Sequence, residues 1–386
     1  MLTKSVGGRT SRALRAVTLS MTMVMLLVAC GDDSPDSSAS GDSDDVRQVH
    51  VVLDFSAKGY SSPFYLAVDK GFFLDEGLSV QVSLGFGSGD TALRVGTGEG
   101  EFGFAGIPDV MGTIAEGVPL REIASIFHVD SEAVNISPDV NVSGPEDLTE
   151  LRGVIDPDED PERTYFAAFL AQQDLDVNDV EWRSVADAGF ATVLAGEADF
   201  ALDFVSDLPE WWLQDPPIEP QAIWYGPELD VYGNGLITRP EVLEEDPELV
   251  KSFVRGVMRA YEYVIEGGEA AQQESIDALF KYNPDFLEQP NAEEFHLANL
   301  QMVLTMMLLE ETREHGIGYL IPEKAEHTAD IINEYILDEP VDVSDVFAGD
   351  DQPLESGEFM IDNFDEAREQ LSEILGRPNP IHEATE

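Results

Sequence analysis

Leu53–Val82, LDFSAKGYSSPFYLAVDKGFFLDEGLSVQV, is the stretch that decides the fold. With VHVV before it, it reads as a buried strand ending at Asp54–Phe55, a loop, a helix and a second strand. Ser62 suits the helix N-cap, Pro63 the first helical position and Gly71 the stop. One unit of α/β layering is therefore complete within about thirty residues.

Outward from this unit the pattern continues. Gly85–Asp90, GFGSGD, is a turn; TALRVGTGEG follows as a helix and EFGFAG as a strand. REIASIFH is a further strand that leads into SEAVNIS near Ala133. A second, similar series then opens at SGPEDL: strand GVID, helix RTYFAAFLAQQD, strand DVEWRSV, helix FATVLAGEA and strand FALDFV. QAIWYG and LDVYGNGLI run as two more extended segments. Beyond Pro240 the chain is largely helical, beginning near Asp246 and Pro247 with Leu249, Val250, Phe253, Val254, Val257, Met258 and Tyr261 at helical spacing. The methionines of QMVLTMMLLEE read as a packed helix face, since Met fills gaps in cores.

The N-terminus carries an address. Lys4, Arg9, Arg12 and Arg15, with no acid, precede the apolar run Ala16–Ala29, which is shorter than the ~20 residues a spanning helix needs. Residues 1–29 read as a signal peptide. Residues 31–45, Ser/Asp/Gly-rich and without large apolar side chains, read together with Cys30 as an acidic, solvated tether, 30–45. The 386 residues hold 21 Lys+Arg against 77 Asp+Glu, a net charge of −56, while 43% are hydrophobic. There is core enough to fold, and the acidic skin repels phosphate backbones, so nucleic acid is excluded as a partner. Cys30 is the sole cysteine, which rules out a disulfide framework and thiolate metal clusters. His50, His128, His296, His315, His327 and His382 show no metal-binding spacing, and no G-x-S-x-G elbow occurs. No metal, cofactor or catalytic residue is expected, and the chain is not read as an enzyme.

LVAC, Leu27–Cys30, resembles the lipobox of bacterial lipoproteins, which implies lipid on Cys30 and residence on the extracytoplasmic face of the cell membrane. The 53–82 stretch, GFGSGD, GEGEFGFAGIPDVM, EGVPLREIASI, GPEDLTELRGV, VLAGEADFALDF and VLEEDPELVKSFVRGVMRAYEYVIEGG, in that order, resemble the solute-binding proteins of the thiamine-pyrimidine-precursor, alkanesulfonate and nitrate group. The likeness runs from Val51 to about Tyr335. It implies a two-lobe periplasmic-binding-protein fold of the type II kind, each lobe a mostly parallel sheet flanked by helices, with a helical C-terminal region. Lobe one would hold 46–130 and 232–386, lobe two 135–228, with crossings around Val134 and Tyr232. A small solute would sit between them and pass to an ABC importer permease, the receptor acting as a monomer.

Open parallel sheets bind ligands at the carboxyl ends of their strands, which selects the site candidates. In lobe one these are Asp54 and Phe55 at the first strand end, Tyr60, Ser61 and Tyr65 beyond it, and Gly87 and Ser88 at the turn into a helix. Phe55 and Tyr65 suit a cleft wall or core packing equally, and Gly87–Ser88 a ligand contact or a plain turn. In lobe two they are Tyr165, Asp203, Glu210 and Trp211, with one of Trp211 and Trp212 packing on the sheet; Tyr232 and Asn234 lie on the return. Asp207 reads as a helix N-cap. The related pyrimidine-precursor loop typically has Trp, Pro-Asn and His where this chain has Phe55, Ala57–Lys58 and Ser61. A synthase of that kind would need the histidine. Carboxylates with aromatic faces suit a flat, nitrogen-bearing heterocycle over a sulfonate or nitrate.

Overall fold

Val49, Val51, Val52 and Leu53 are each 3% exposed or less, which places β1 (Arg47–Val52) inside a sheet. The computed structural model describes residues 46–155, 165–185 and 189–374; the leader, Cys30 and the tether lie outside them. β1 runs parallel to β2 (Leu78–Ser83), in register from Arg47 opposite Leu78 to Val52 opposite Ser83. On its other side lies β3 (Phe102–Gly106). β4 (Arg121–Ser125) does not join β3 directly, because β10 (Asn234–Thr238) lies antiparallel between them. The order is β2-β1-β3-β10-β4.

The second sheet repeats this plan. β6 (Arg152–Ile155) is parallel to β7 (Glu181–Ser184) and β8 (Phe200–Phe204). β5 (Glu132–Ile136) then lies antiparallel between β8 and β9 (Gln221–Trp224), giving β7-β6-β8-β5-β9. Each sheet is thus four parallel strands with one antiparallel strand, and the antiparallel member belongs to a crossing. The chain leaves the first sheet through 126–131 and returns through 225–233. Val134 lies within β5, between Leu202 and Ile223, so the outward crossing falls before it.

The helix after the first strand runs Ser62–Lys70, and Gly71 ends it at a left-handed φ of 78°. The N-cap is Ser61, one residue earlier than the sequence indicates. A short 3₁₀ turn, Gly59–Ser61, leads straight into the helix, and the Ser62 hydroxyl is taken by Ser275 at 2.7 Å. In the C-terminal region Asp246 accepts the Leu249 N–H and starts the helix Pro247–Glu266, as its Asp-Pro signature predicts. Its Phe253 stacks on Phe102 with ring centroids 3.9 Å apart and on Phe73 at 5.6 Å. The helices Gly268–Tyr282 and Ala292–Met307 complete this layer; Met302, Met306 and Met307 are buried, the packed face that the sequence implies. Among the described residues no helix is long and apolar enough to cross a membrane, and no group of three His, Cys, Asp or Glu is placed to hold a metal.

Candidate functional site

Asp54 stands two residues beyond β1, and its carboxylate is a junction. It accepts the Tyr60 hydroxyl at 2.9 and 3.1 Å, the Phe55 N–H at 2.9 Å and the Asn234 amide at 2.8 Å. Burial pushes its pKa up to about 6, and the Tyr60 hydroxyl, the Phe55 N–H and Lys58 limit the rise. The Asp54 carbonyl accepts the Gly87 N–H at 2.8 Å, and the Ser88 hydroxyl accepts the Gly106 N–H at 2.9 Å. The first strand end, the 85–90 turn and the returning strand are therefore locked together.

Across from them stands the turn after β8. Lys58 reaches Asp207 with Nζ 2.7 Å from Oδ2, and the aspartate side chain is 5% exposed. Burial disfavours the ammonium, but Asp207, Asp203 and Glu210 outweigh it and hold the Lys58 pKa above its ordinary value. Burial, then the Asp207 charge, raises Asp203 well above the carboxylate range and Glu210 to about 7. One ammonium thus serves three carboxylates, and burial with mutual repulsion favours the protonated form of Asp203 and Glu210. Asp207 is not the N-cap that its sequence context predicts. Leu208 takes that position before Pro209–Trp212, because the Asp207 carboxylate turns to the Lys58 ammonium and the Asn299 amide instead.

The remaining candidates divide. Tyr60 is buried with its ring edge-on to Phe127, and the Ser61 hydroxyl donates to the Lys58 carbonyl. Phe55 is 40% exposed. Tyr165 donates its hydroxyl to the Tyr232 carbonyl at 2.8 Å, while the Tyr232 N–H and hydroxyl engage Thr328 and the Ile321 N–H, so both tyrosines tie down the return crossing. Tyr65 stacks on Tyr282 at 5.9 Å and belongs to helix packing. Trp211, 1% exposed, packs edge-on to Phe190 among Val154, Val193, Ala198 and Ala201, behind the second sheet. An aromatic after a strand end has gone to the core, where it fills the apolar face that Val154 of β6 and Ala201 of β8 present. Lys58, Asp207 and Asn299 were not among the expected site residues. Lys58 had a signal, a scarce basic residue in the loop after a strand end; Asn299, 239 residues from Tyr60, had none.

Two α/β sheets of one plan, joined by two crossings, with polar side chains gathered at their strand ends, make the periplasmic binding-protein fold. The periplasmic aliphatic sulphonate binding protein SsuA of Escherichia coli has it, with a TM-score of 0.58 at 12% identity over 78% of this chain and 91% of that one. Residues 58–271 match the model of the NMT1/THI5 like family, and the chain belongs to that family. The riboflavin-binding protein RibY of Chloroflexus aurantiacus is 21% identical over 88% of this chain and 98% of its own length. The formylaminopyrimidine-binding protein of Halalkalibacterium halodurans is 23% identical over 86% and 97%. A 4-amino-5-hydroxymethyl-2-methylpyrimidine phosphate synthase of Aspergillus parasiticus is 23% identical over 60% and 70%.

Proposed function

We propose that this chain is the extracytoplasmic, lipid-anchored receptor of an ABC importer and takes a flat, nitrogen-bearing heterocycle between its two sheets. The observation that carries the reading is the meeting of Asp54 and Lys58 from one sheet with Asp203, Asp207 and Glu210 from the other. Carboxyl groups accept hydrogen bonds from ring or amino N–H groups when ionised and donate to ring nitrogens when protonated, and Asn234 and Tyr60 hold Asp54 in place at the first strand end. A sulfonate or nitrate in the same place would meet more carboxylates than ammonium groups, at a cost of several kcal/mol in a desolvated cleft. Two relatives named for binding riboflavin and a formylaminopyrimidine support a heterocycle. In this reading 46–130 with 232–386 forms one lobe and 135–228 the other, Cys30 carries the lipid, and the monomer hands its solute to the permease.

A sulfonate receptor is the second reading, and Lys58 favours it, since an ammonium at the cleft can pair with an oxyanion. Calorimetric titration separates the two. Formylaminopyrimidine or riboflavin should bind with an affinity that Asp54→Ala abolishes, while taurine and nitrate give no heat. Sulfonate binding that survives Asp54→Ala and is lost in Lys58→Met would reverse the assignment.

A further inference from the structure

The Ala292–Met307 helix touches both halves of this site. On one side it meets the loop after β1. Gly59 lies so close that a Cβ there would stand 1.7 Å from the His296 carbonyl oxygen and 2.9 Å from the Leu300 nitrogen. Asn299 Oδ1 accepts the Tyr60 N–H at 2.9 Å. On the other side it meets the turn after β8, where Asn299 Nδ2 donates to the Ser206 carbonyl at 2.9 Å and to Asp207 Oδ1 at 3.2 Å. The contact with the second sheet's side runs the length of the helix. Asn291 donates to the Leu213 carbonyl before its first turn, and Met302, Met306 and Leu309 pack with Val129, Ala133, Val205 and Leu208 at its end. From Asn291 to Leu309 is about 27 Å at helical rise.

We propose that this helix is a strap across the cleft and that Asn299 is its positioning residue, fixing Lys58–Tyr60 against Ser206–Asp207 before any solute arrives. The functional part of this rests on the reading of the cleft as the solute site. Two crossing segments alone would let the sheets swing freely; a helix packed on both site-bearing loops is a third connection. The strap thus holds the two site-bearing loops at one spacing with or without solute, and binding escapes part of the population cost of bringing them together. Asparagine suits the position because one buried amide must accept from an N–H on one side and donate to two oxygens on the other. Asn299→Asp keeps the first bond and sets a carboxylate against a carbonyl and a second carboxylate.

Hydrogen exchange and small-angle scattering of ligand-free Asn299→Asp test the strap without any solute. Amides of 200–213 should exchange at least tenfold faster while those of 47–61 hold their rates, and the radius of gyration should rise. Formylaminopyrimidine should then bind about tenfold more weakly. Unchanged exchange and radius overturn the strap, and lost affinity with both unchanged overturns it too, making Asn299 a ligand contact. If the variant does not fold, the Tyr60 amide of the wild type decides: it should exchange only through global unfolding, and exchange through a smaller opening overturns the proposal. Failure of every solute to bind the wild type would sink the functional reading and leave the exchange and scattering results to judge the strap.

Discussion

The two sheets share one strand order and differ in what surrounds them. The first carries the stacked Phe73, Phe253 and Phe102, and the long helices after Pro240 pack on it. The second has edge strands, β7 and β9, with no fully buried residue, and its aromatic cluster of Trp182, Phe166 and Phe200 reaches that edge through half-buried Trp182. It draws part of its apolar cover from the Ala292–Met307 helix, through Met302 and Met306. Topology is therefore not the source of rigidity here. The first sheet is a fixed frame, and the second is held to it by contacts borrowed from the C-terminal region.

The largest expected effect tests that inequality. Phe253→Ala should cost about 3–5 kcal/mol, the range for deleting a buried aromatic, whereas half-buried Trp182→Ala should cost about half as much in chemical denaturation. Equal losses would break the comparison. Lys58→Met comes next, since it leaves Asp207 buried beside Asp203 and Glu210; the denaturation midpoint should fall by the equivalent of about 1–3 kcal/mol. Restoration by Lys58→Met combined with Asp207→Leu would show that the unpaired carboxylate is the cause.

A smaller effect concerns pH. Asp54 and Glu210 have folded pKa values of about 6 and about 7, above their unfolded values, and Asp203 is raised as well. The folded state then binds more protons, so the cost of ionising Asp54 and Glu210 is present at pH well above 7 and is relieved as pH falls through 7 and 6 toward the unfolded values, Asp203 adding in the same direction. Melting temperature should rise from pH 8 to pH 5.5. Loss of surface self-repulsion has the same sign, so variants must isolate the site. Asp203→Asn with Glu210→Gln should flatten the profile more than Asp54→Asn, because the second sheet supplies two of the three carboxylates; the reverse ranking would put the dominant charge on the first sheet. Smallest of all, if Cys30 carries the lipid as proposed, Cys30→Ala should leave the melting temperature of the body unchanged and give an uncleaved or soluble protein. A variant still processed and membrane-bound in fractionation would end the lipoprotein reading.

The strand and helix sequence was legible because each element carries its own period and punctuation: Pro63 and Gly71 bracket one helix, Asp246 and Pro247 open another. Asp54, Tyr60 and Asn234 were legible as neighbours of strand ends. Trp211 and Tyr65 were not, because an aromatic side chain looks the same in sequence whether it faces a cleft or the back of a sheet. Asp207 misled for a related reason. Its local role as a cap was sound chemistry, and a lysine 149 residues away claimed the carboxylate instead. Long-range partners of this kind are set by which helix lies against which loop, and no spacing rule within either segment encodes them.

The placing of β10 between β3 and β4 has a consequence for assembly. Among the described residues β4 pairs with the strand β10 and, through Glu122, makes one bridge to Phe347, so the first sheet, though it begins at Arg47, cannot be finished until Thr238 is available. The second sheet is continuous in the chain from Glu132 to Trp224 and needs nothing later to pair its strands. In a chain delivered from its N-terminus, the frame is the last part to be completed and the half that leans on it is the first, so β4 waits unpaired while more than a hundred residues arrive.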